Sequence, residues 1–173
     1  MTLGPTGTDA YTEASKIFRD VILAETFPEA MTRAHEEKHY ALVAAGYIER
    51  TGNTGNVSQS WVDIHFQWLG EMHISAIWES PTKEMCLAFN HQKVRRLEDV
   101  RTVAIHPSTE TLARKILPDA DYTYTRAKPI AVECAANGLV DACLGSRDIV
   151  QQNSSLTIHK TLHPTMVWCL YKP

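Results

Sequence analysis

The sequence predicts an α/β protein of two lobes enclosing a ligand cleft. Three observations lead there. Segments with strand character alternate with segments of helical apolar spacing along the chain. The middle third, about Lys93 to Leu144, reads as a compact βαβαβ unit, inserted into a sheet built from both chain ends. Two Gly/Pro-bearing turns, "GPTGT" and "HPST", each lead into a helix start, where backbone N–H groups face outward toward an anion.

Taken in order, Met1–Leu3 reads as the end of a short strand. The turn Gly4-Pro5-Thr6-Gly7-Thr8 follows, then a helix with apolar residues at Ala10, Ala14, Ile17 and Phe18. The turn is neither a Walker loop, since no Gly-Lys-Ser/Thr follows, nor G-x-G-x-x-G. An ordinary strand-to-helix turn has the same composition. Asp20–Thr26 is expected as a strand. The next helix has Thr26 and Glu29 in capping-box spacing and Pro28 in its first turn. His39–Ile48 is a continuous apolar run, expected as a strand covered on both faces. Residues 49–60 read as a polar loop, 60–70 as a helix stopped by Gly70, and 71–80 as an alternating strand.

Met85–Phe89 and "VRTVAI" are expected strands, and a helix starts near Pro107–Ser108 with Leu112, Ile116 and Leu117 as its apolar face. "ADYTYT" is a strand. The helix "KPIAVECAANGL" has Pro129 near its start and Gly138 at its end. A strand, a short helix and two closing strands complete the chain. The expected sheets are largely parallel. Residues 1–84 plus 145–173 form the first lobe and 85–144 the second. Ligands of such folds sit at strand ends facing helix starts. "GPTGT" and "HPST" would then face one ligand carrying two or more anionic groups.

Composition narrows the function. The chain has 173 residues, 44% hydrophobic and 21% charged, as in a soluble globular protein. Its formal net charge of −3 offers no general attraction for nucleic acid or an acidic membrane. Cys86, Cys134, Cys143 and Cys169 are scattered without a C-x-x-C pair, which suits free thiols in a reducing cytosol. No signal peptide is recognisable and no apolar run is long enough to span a bilayer. The expected location is therefore cytoplasmic. His35/His39 and His65/His73 lack a ligand pattern, and no cofactor motif is present, so neither metal nor cofactor is expected. The expected partner is a small molecule, and a homodimer is compatible with this.

The motifs "TLGPTGTDAYTEA", "IHPSTETLARKILPDADYTYT" and "KPIAVECAANGLVDACLGS" together resemble the prephenate dehydratase domain family. That family has a Gly-Pro-x-Gly-Thr opening, a Ser-His-Pro turn starting a helix, and a helix ending in Gly before a strand. The resemblance implies the two-lobed, periplasmic-binding-protein-like fold. Two motifs depart from it. Where dehydratases carry Glu-Asn-Ser, this chain has Ala45-Gly46-Tyr47. Where they carry Thr-Arg-Phe, it has Thr165-Met166-Val167. With the closing Trp168-Cys169-Leu170-Tyr171, these departures resemble the branch containing the non-aromatising prephenate decarboxylase of bacilysin-type antibiotic biosynthesis. The resemblance implies a lyase that removes the ring carboxylate of prephenate and leaves a dihydro-4-hydroxyphenylpyruvate. The alternatives are a prephenate dehydratase giving phenylpyruvate, or a non-catalytic small-acid-binding module of the same fold.

The chemistry asks for three things: donors for the pyruvyl carboxylate, a poorly solvated place for the ring carboxylate, and an acid at ring carbon instead of at the hydroxyl. Thr6, Gly7 and Thr8 offer donors at the first helix start. Thr26 faces the ligand or simply caps its helix. His106 is an anion donor, a proton source or a turn histidine. Ser108 caps its helix with or without sharing donors. Thr125 and Arg126 precede the next helix, where Arg126 clamps a carboxylate or sits in a solvated turn. Tyr47 and Thr165 would line the first lobe, unless Tyr47 only packs in the core with its hydroxyl satisfied. The family implies a threonine acting as acid for Thr165, but the sequence shows no partner to activate it.

Overall fold

A computed structural model describes residues 1–51 and 56–173. The chain divides into two compact units, one of residues Met1–Ile48, Gln59–Thr82 and Thr165–Pro173, the other of Glu49–Ser58 and Lys83–Pro164. Among the described residues no helix is long and apolar enough to cross a membrane.

In the first unit, β1 (Thr2–Leu3) pairs in parallel with β2 (Leu23–Ala24), and α1 (Asp9–Ser15) connects them. The helix α2 (Phe27–Glu36) buries Phe27, Ala30, Met31 and Ala34, one stripe at helical spacing. It leads to β3 (Ala41–Ala44), whose Leu42 N–H reaches the Met1 carbonyl at 2.9 Å. The strand β12 (Thr165–Lys172) lies between β3 and β6 (His73–Pro81), antiparallel to both. α3 (Trp61–Gln67) starts at Ser60, where Asp63 closes a capping box, and buries Ile64. The core holds Phe27, Met31, Leu42, Val43, Ile64, Trp168 and Tyr171. The buried Tyr171 hydroxyl accepts from the Trp61 indole at 3.0 Å. Burial pushes that phenol up to about 12.

The second unit is built on a five-stranded sheet. Its order is β11 (Leu156–Leu162), β7 (Met85–Asn90), β10 (Ala142–Ser146), β8 (Thr102–Ile105) and β9 (Asp121–Tyr124). Alternate residues sort to two cores. Leu87, Phe89, Val103, Ile105, Ala142 and Leu144 face one, with α4 (Glu110–Arg114). Cys86, Ala88, Ala104 and Cys143 face the other, under α5 (Lys128–Ala136) and α6 (Arg147–Val150). Burial on both faces explains the apolar composition of β7, β8 and β10, the three inner strands.

Several expectations change. The sheets are mixed: β10–β8 and β8–β9 are parallel, but β7 runs antiparallel to both its neighbours, and the β3–β12–β6 sheet is entirely antiparallel. Segment 145–164 was expected in the first lobe with 165–173. It belongs to the second unit, because β11 pairs with β7 and the Arg147 guanidinium reaches Glu84 at 2.7 Å. The strand expected over Asp20–Thr26 shrinks to Leu23–Ala24, and the run His39–Ile48 breaks at Ala45–Tyr47 into β3 and β4 (Ile48–Arg50). The polar loop expected over 49–60 contains a two-stranded ribbon of β4 and β5 (Val57–Ser60). Residues 52–55 lie outside the described residues.

Candidate functional site

The opening turn is held from both sides. The Gly4 N–H donates to the Ala24 carbonyl at 2.8 Å, and Gly7 takes a positive φ of 88°, which favours glycine. The Thr8 hydroxyl caps α1 by accepting from the Tyr11 N–H at 3.2 Å, and it donates to the Leu3 carbonyl at 3.2 Å. Its one proton is therefore spent inside the turn, whose exposed part is Pro5, Thr6 and Gly7. Thr26 is the N-cap of α2, accepting from the Glu29 N–H at 3.1 Å. The Glu29 carboxylate binds the Glu25 N–H and not the Thr26 N–H, so the capping box expected there does not close.

The two segments that depart from the dehydratase motifs meet in the first unit. The Ala45 N–H donates to the Val167 carbonyl at 2.9 Å. A Cβ on Gly46 would stand 2.9 Å from the Met166 sulfur, so the missing side chain at 46 makes room for the methionine. Tyr47 packs edge-on against Phe27, and its hydroxyl donates to the Gln59 side chain at 3.3 Å. On the same sheet the Thr165 hydroxyl donates to the Glu79 carboxylate. Thr165 thus has the partner that was invisible in sequence. Glu79 lies 86 positions away and is brought close only because β12 pairs with β6 and sets Val167 opposite it.

Glu13 of α1 is a second residue the sequence reading missed. Only 5% exposed, it accepts from the Trp78 indole at 2.7 Å and from the Lys16 ammonium at 2.6 Å. Burial pushes its carboxyl up, but bonds from Lys16, Trp78 and Ser80 outweigh that and hold it below the usual glutamate range. The Ser80 hydroxyl in turn accepts from the Trp168 indole at 3.1 Å. This network ties α1, and with it the opening turn, to β6 and β12.

In the second unit, the residues singled out after β8 and β9 lie together. These are neighbouring parallel strands, with Ile105 opposite Tyr124. His106 and Thr125 are the next residues at their carboxyl ends, the place where ligands bind in parallel sheets. The His106 Nδ1 accepts from the Ser108 N–H at 3.3 Å and lies 2.8 Å from the Ser108 hydroxyl. With Nδ1 an acceptor, the ring carries its proton on Nε2. Burial first, then the Lys128 charge, lowers its pKa to about 4. The proton source expected at His106 is therefore a neutral imidazole at pH 7, with Nε2–H as its donor. Thr125 is buried, and its one hydroxyl proton is shared between the Ala127 carbonyl at 3.0 Å and the Ile105 carbonyl at 3.3 Å, which makes it a brace between β8 and α5. Arg126 is exposed, with no ion-pair partner among the described residues. Arg50 also reaches this end, binding Glu110 at 2.8 Å with its guanidinium 5.1 Å from the Tyr124 ring centre. Nothing in its polar sequence context marked it. No cluster of three potential metal ligands occurs among the described residues.

No family model matches the chain, and no curated protein matches it. Solved structures do. Prephenate dehydratase from Arthrobacter aurescens, in complex with L-Phe, is similar at 16% identity and a TM-score of 0.57, covering 99% of this chain and 58% of that one. Prephenate dehydratase from Staphylococcus aureus is similar at 14% identity and a TM-score of 0.53, with 99% and 65% covered. The periplasmic VFT2 domain of Bordetella pertussis BvgS follows at 15% identity and a TM-score of 0.51, with 88% and 63% covered. The chain thus spans less than two thirds of each of these proteins. It has the mixed α/β fold shared by prephenate dehydratases and periplasmic Venus-flytrap domains.

Proposed function

We propose that this protein binds a small cyclohexadiene dicarboxylate and decarboxylates prephenate without aromatising it. The observation that carries the proposal is the meeting of Ala45-Gly46-Tyr47 with Thr165-Met166-Val167. Both dehydratase motifs are altered there together, and the arginine expected beside the threonine is a methionine packed toward Gly46. Cations and neutral donors at the ends of β8 and β9 (Arg126, Lys128, the His106 Nε2–H) suit a carboxylate. The ring carboxylate leaves as carbon dioxide. The electron pair of the broken C–C bond enters the diene, and a ring carbon takes a proton from water while the hydroxyl stays.

A second reading is favoured by one observation. His106 is neutral and its Nδ1 is occupied, so the group named as acid supplies no imidazolium. That suits a binding module without chemistry. One experiment separates the readings: incubation with prephenate in deuterated water, followed by NMR. Decarboxylation predicts a product that keeps its hydroxyl and carries one non-exchanging deuteron on a ring carbon. Phenylpyruvate as main product establishes the dehydratase, and unchanged prephenate with saturable binding establishes the module.

A further inference from the structure

The Thr165–Glu79 pair bears on which way that reaction goes. A threonine hydroxyl has one proton, and here it points at a carboxylate, which can only accept. Thr165 therefore shows its remaining lone pairs to anything that approaches from solvent, to which both residues are exposed. No cation offsets Glu79, since among the described residues Thr165 is its partner. A ring hydroxyl reaching Thr165 meets the threonine's lone pairs and no donor. It is held by giving its own proton, whereas loss of hydroxide requires a proton to arrive at that oxygen. An anion beside it also opposes the negative charge that develops on a departing oxygen.

We propose that Glu79 is the residue that determines specificity. By fixing the direction of the Thr165 hydroxyl it makes the pair an acceptor for the substrate hydroxyl, so that the hydroxyl is retained. This rests on the prephenate reading above and adds the residue that decides between its two products. Glu79 acts through Thr165 and is a positioning residue.

The test uses the full chain with Glu79→Leu, Glu79→Asp and the double variant Glu79→Leu/Thr165→Val. The substitutions are at exposed positions, and the folded state is checked by circular dichroism. With prephenate, Glu79→Leu frees the threonine proton. The ratio of phenylpyruvate to hydroxyl-retaining product should rise about tenfold or more, the worth of one charge-assisted hydrogen bond. The double variant should return to the wild-type ratio, and Glu79→Asp should fall between. An unchanged ratio in Glu79→Leu overturns the proposal and leaves the decarboxylase reading standing. If the wild type does not turn prephenate over, that reading fails, and binding alone then tests the pair. Calorimetry with cis-4-hydroxycyclohexanecarboxylate and cyclohexanecarboxylate should show about tenfold preference for the hydroxylated acid, lost in Glu79→Leu. Equal affinities, or no binding of either acid, overturns the role of Glu79.

Discussion

Glu13, which is buried, and His106, which is partly buried, are two ionisable residues handled in opposite ways. Glu13 stays ionised because Lys16, Trp78 and Ser80 bind its carboxylate. Glu13→Ala would leave the Trp78 N–H without its acceptor and should cost about 2–4 kcal/mol in urea unfolding. With its pKa below that of the unfolded chain, the Glu13 contribution is present above the unfolded glutamate value and is lost as acid titrates the folded group. His106 goes the other way: its pKa falls to about 4 from 6.5. Between those values the unfolded chain binds a proton that the folded chain refuses. Stability therefore drops as pH falls from 6.5 to 4, by up to about 3 kcal/mol. His106→Asn, which keeps an acceptor for Ser108, should flatten that window in denaturant titrations at several pH values. A slope that survives the substitution would move the titration to another group. The sequence pointed to His106 because a histidine before Pro107 at a helix start is a local pattern. It could not point to Glu13 or Glu79, whose partners Trp78 and Thr165 stand 65 and 86 positions away.

At the scale of elements, what is local was legible. The stripe of α2, the cap at Thr26 and the Pro28 beside it lie within one stretch of chain, and the helix forms where the spacing puts it. α3 stops before Gly70, whose φ of 85° suits glycine. The failures concern strands. Asp20–Thr26 has strand propensity, yet only Leu23 and Ala24 find a partner, in β1. Gly145 shows how close two elements approach. It lies in β10 opposite Cys86, and a Cβ there would stand 2.2 Å from the Val132 methyl of α5. Gly145→Ala should push α5 off the sheet and cost roughly 1–3 kcal/mol, read as a lower melting temperature. Adding Val132→Ala removes the clashing methyl and should recover part of the loss. If the double variant is no better than the sum of its parts, the contact is not what makes glycine necessary.

For the whole molecule, an alternating order of strands and helices fixed the fold class but not the direction of strands, because alternation is compatible with any crossover that brings a strand back. The antiparallel pairings come from β7 and β12, which arrive from long sequence distances and run antiparallel to their neighbours. The position of β12 makes a prediction. Residues 165–173 belong to the first unit, and β12 lies between β3 and β6, so both strands depend on it for pairing. Trp168, Cys169, Leu170 and Tyr171 are all buried. At about 1.5–3 kcal/mol for each large apolar side chain, removing them approaches the roughly 5–15 kcal/mol that stabilises a whole domain. The second unit should not need them, since β7, β8, β9, β10 and β11 pair only among themselves. A chain truncated after Pro164 should therefore lose hydrogen-exchange protection in β3 while keeping it in β7 and β10. Protection of β3 unchanged by the truncation would show that β12 is dispensable to its sheet. Protection lost equally in β7 and β10 would show that the second unit does not hold without the first.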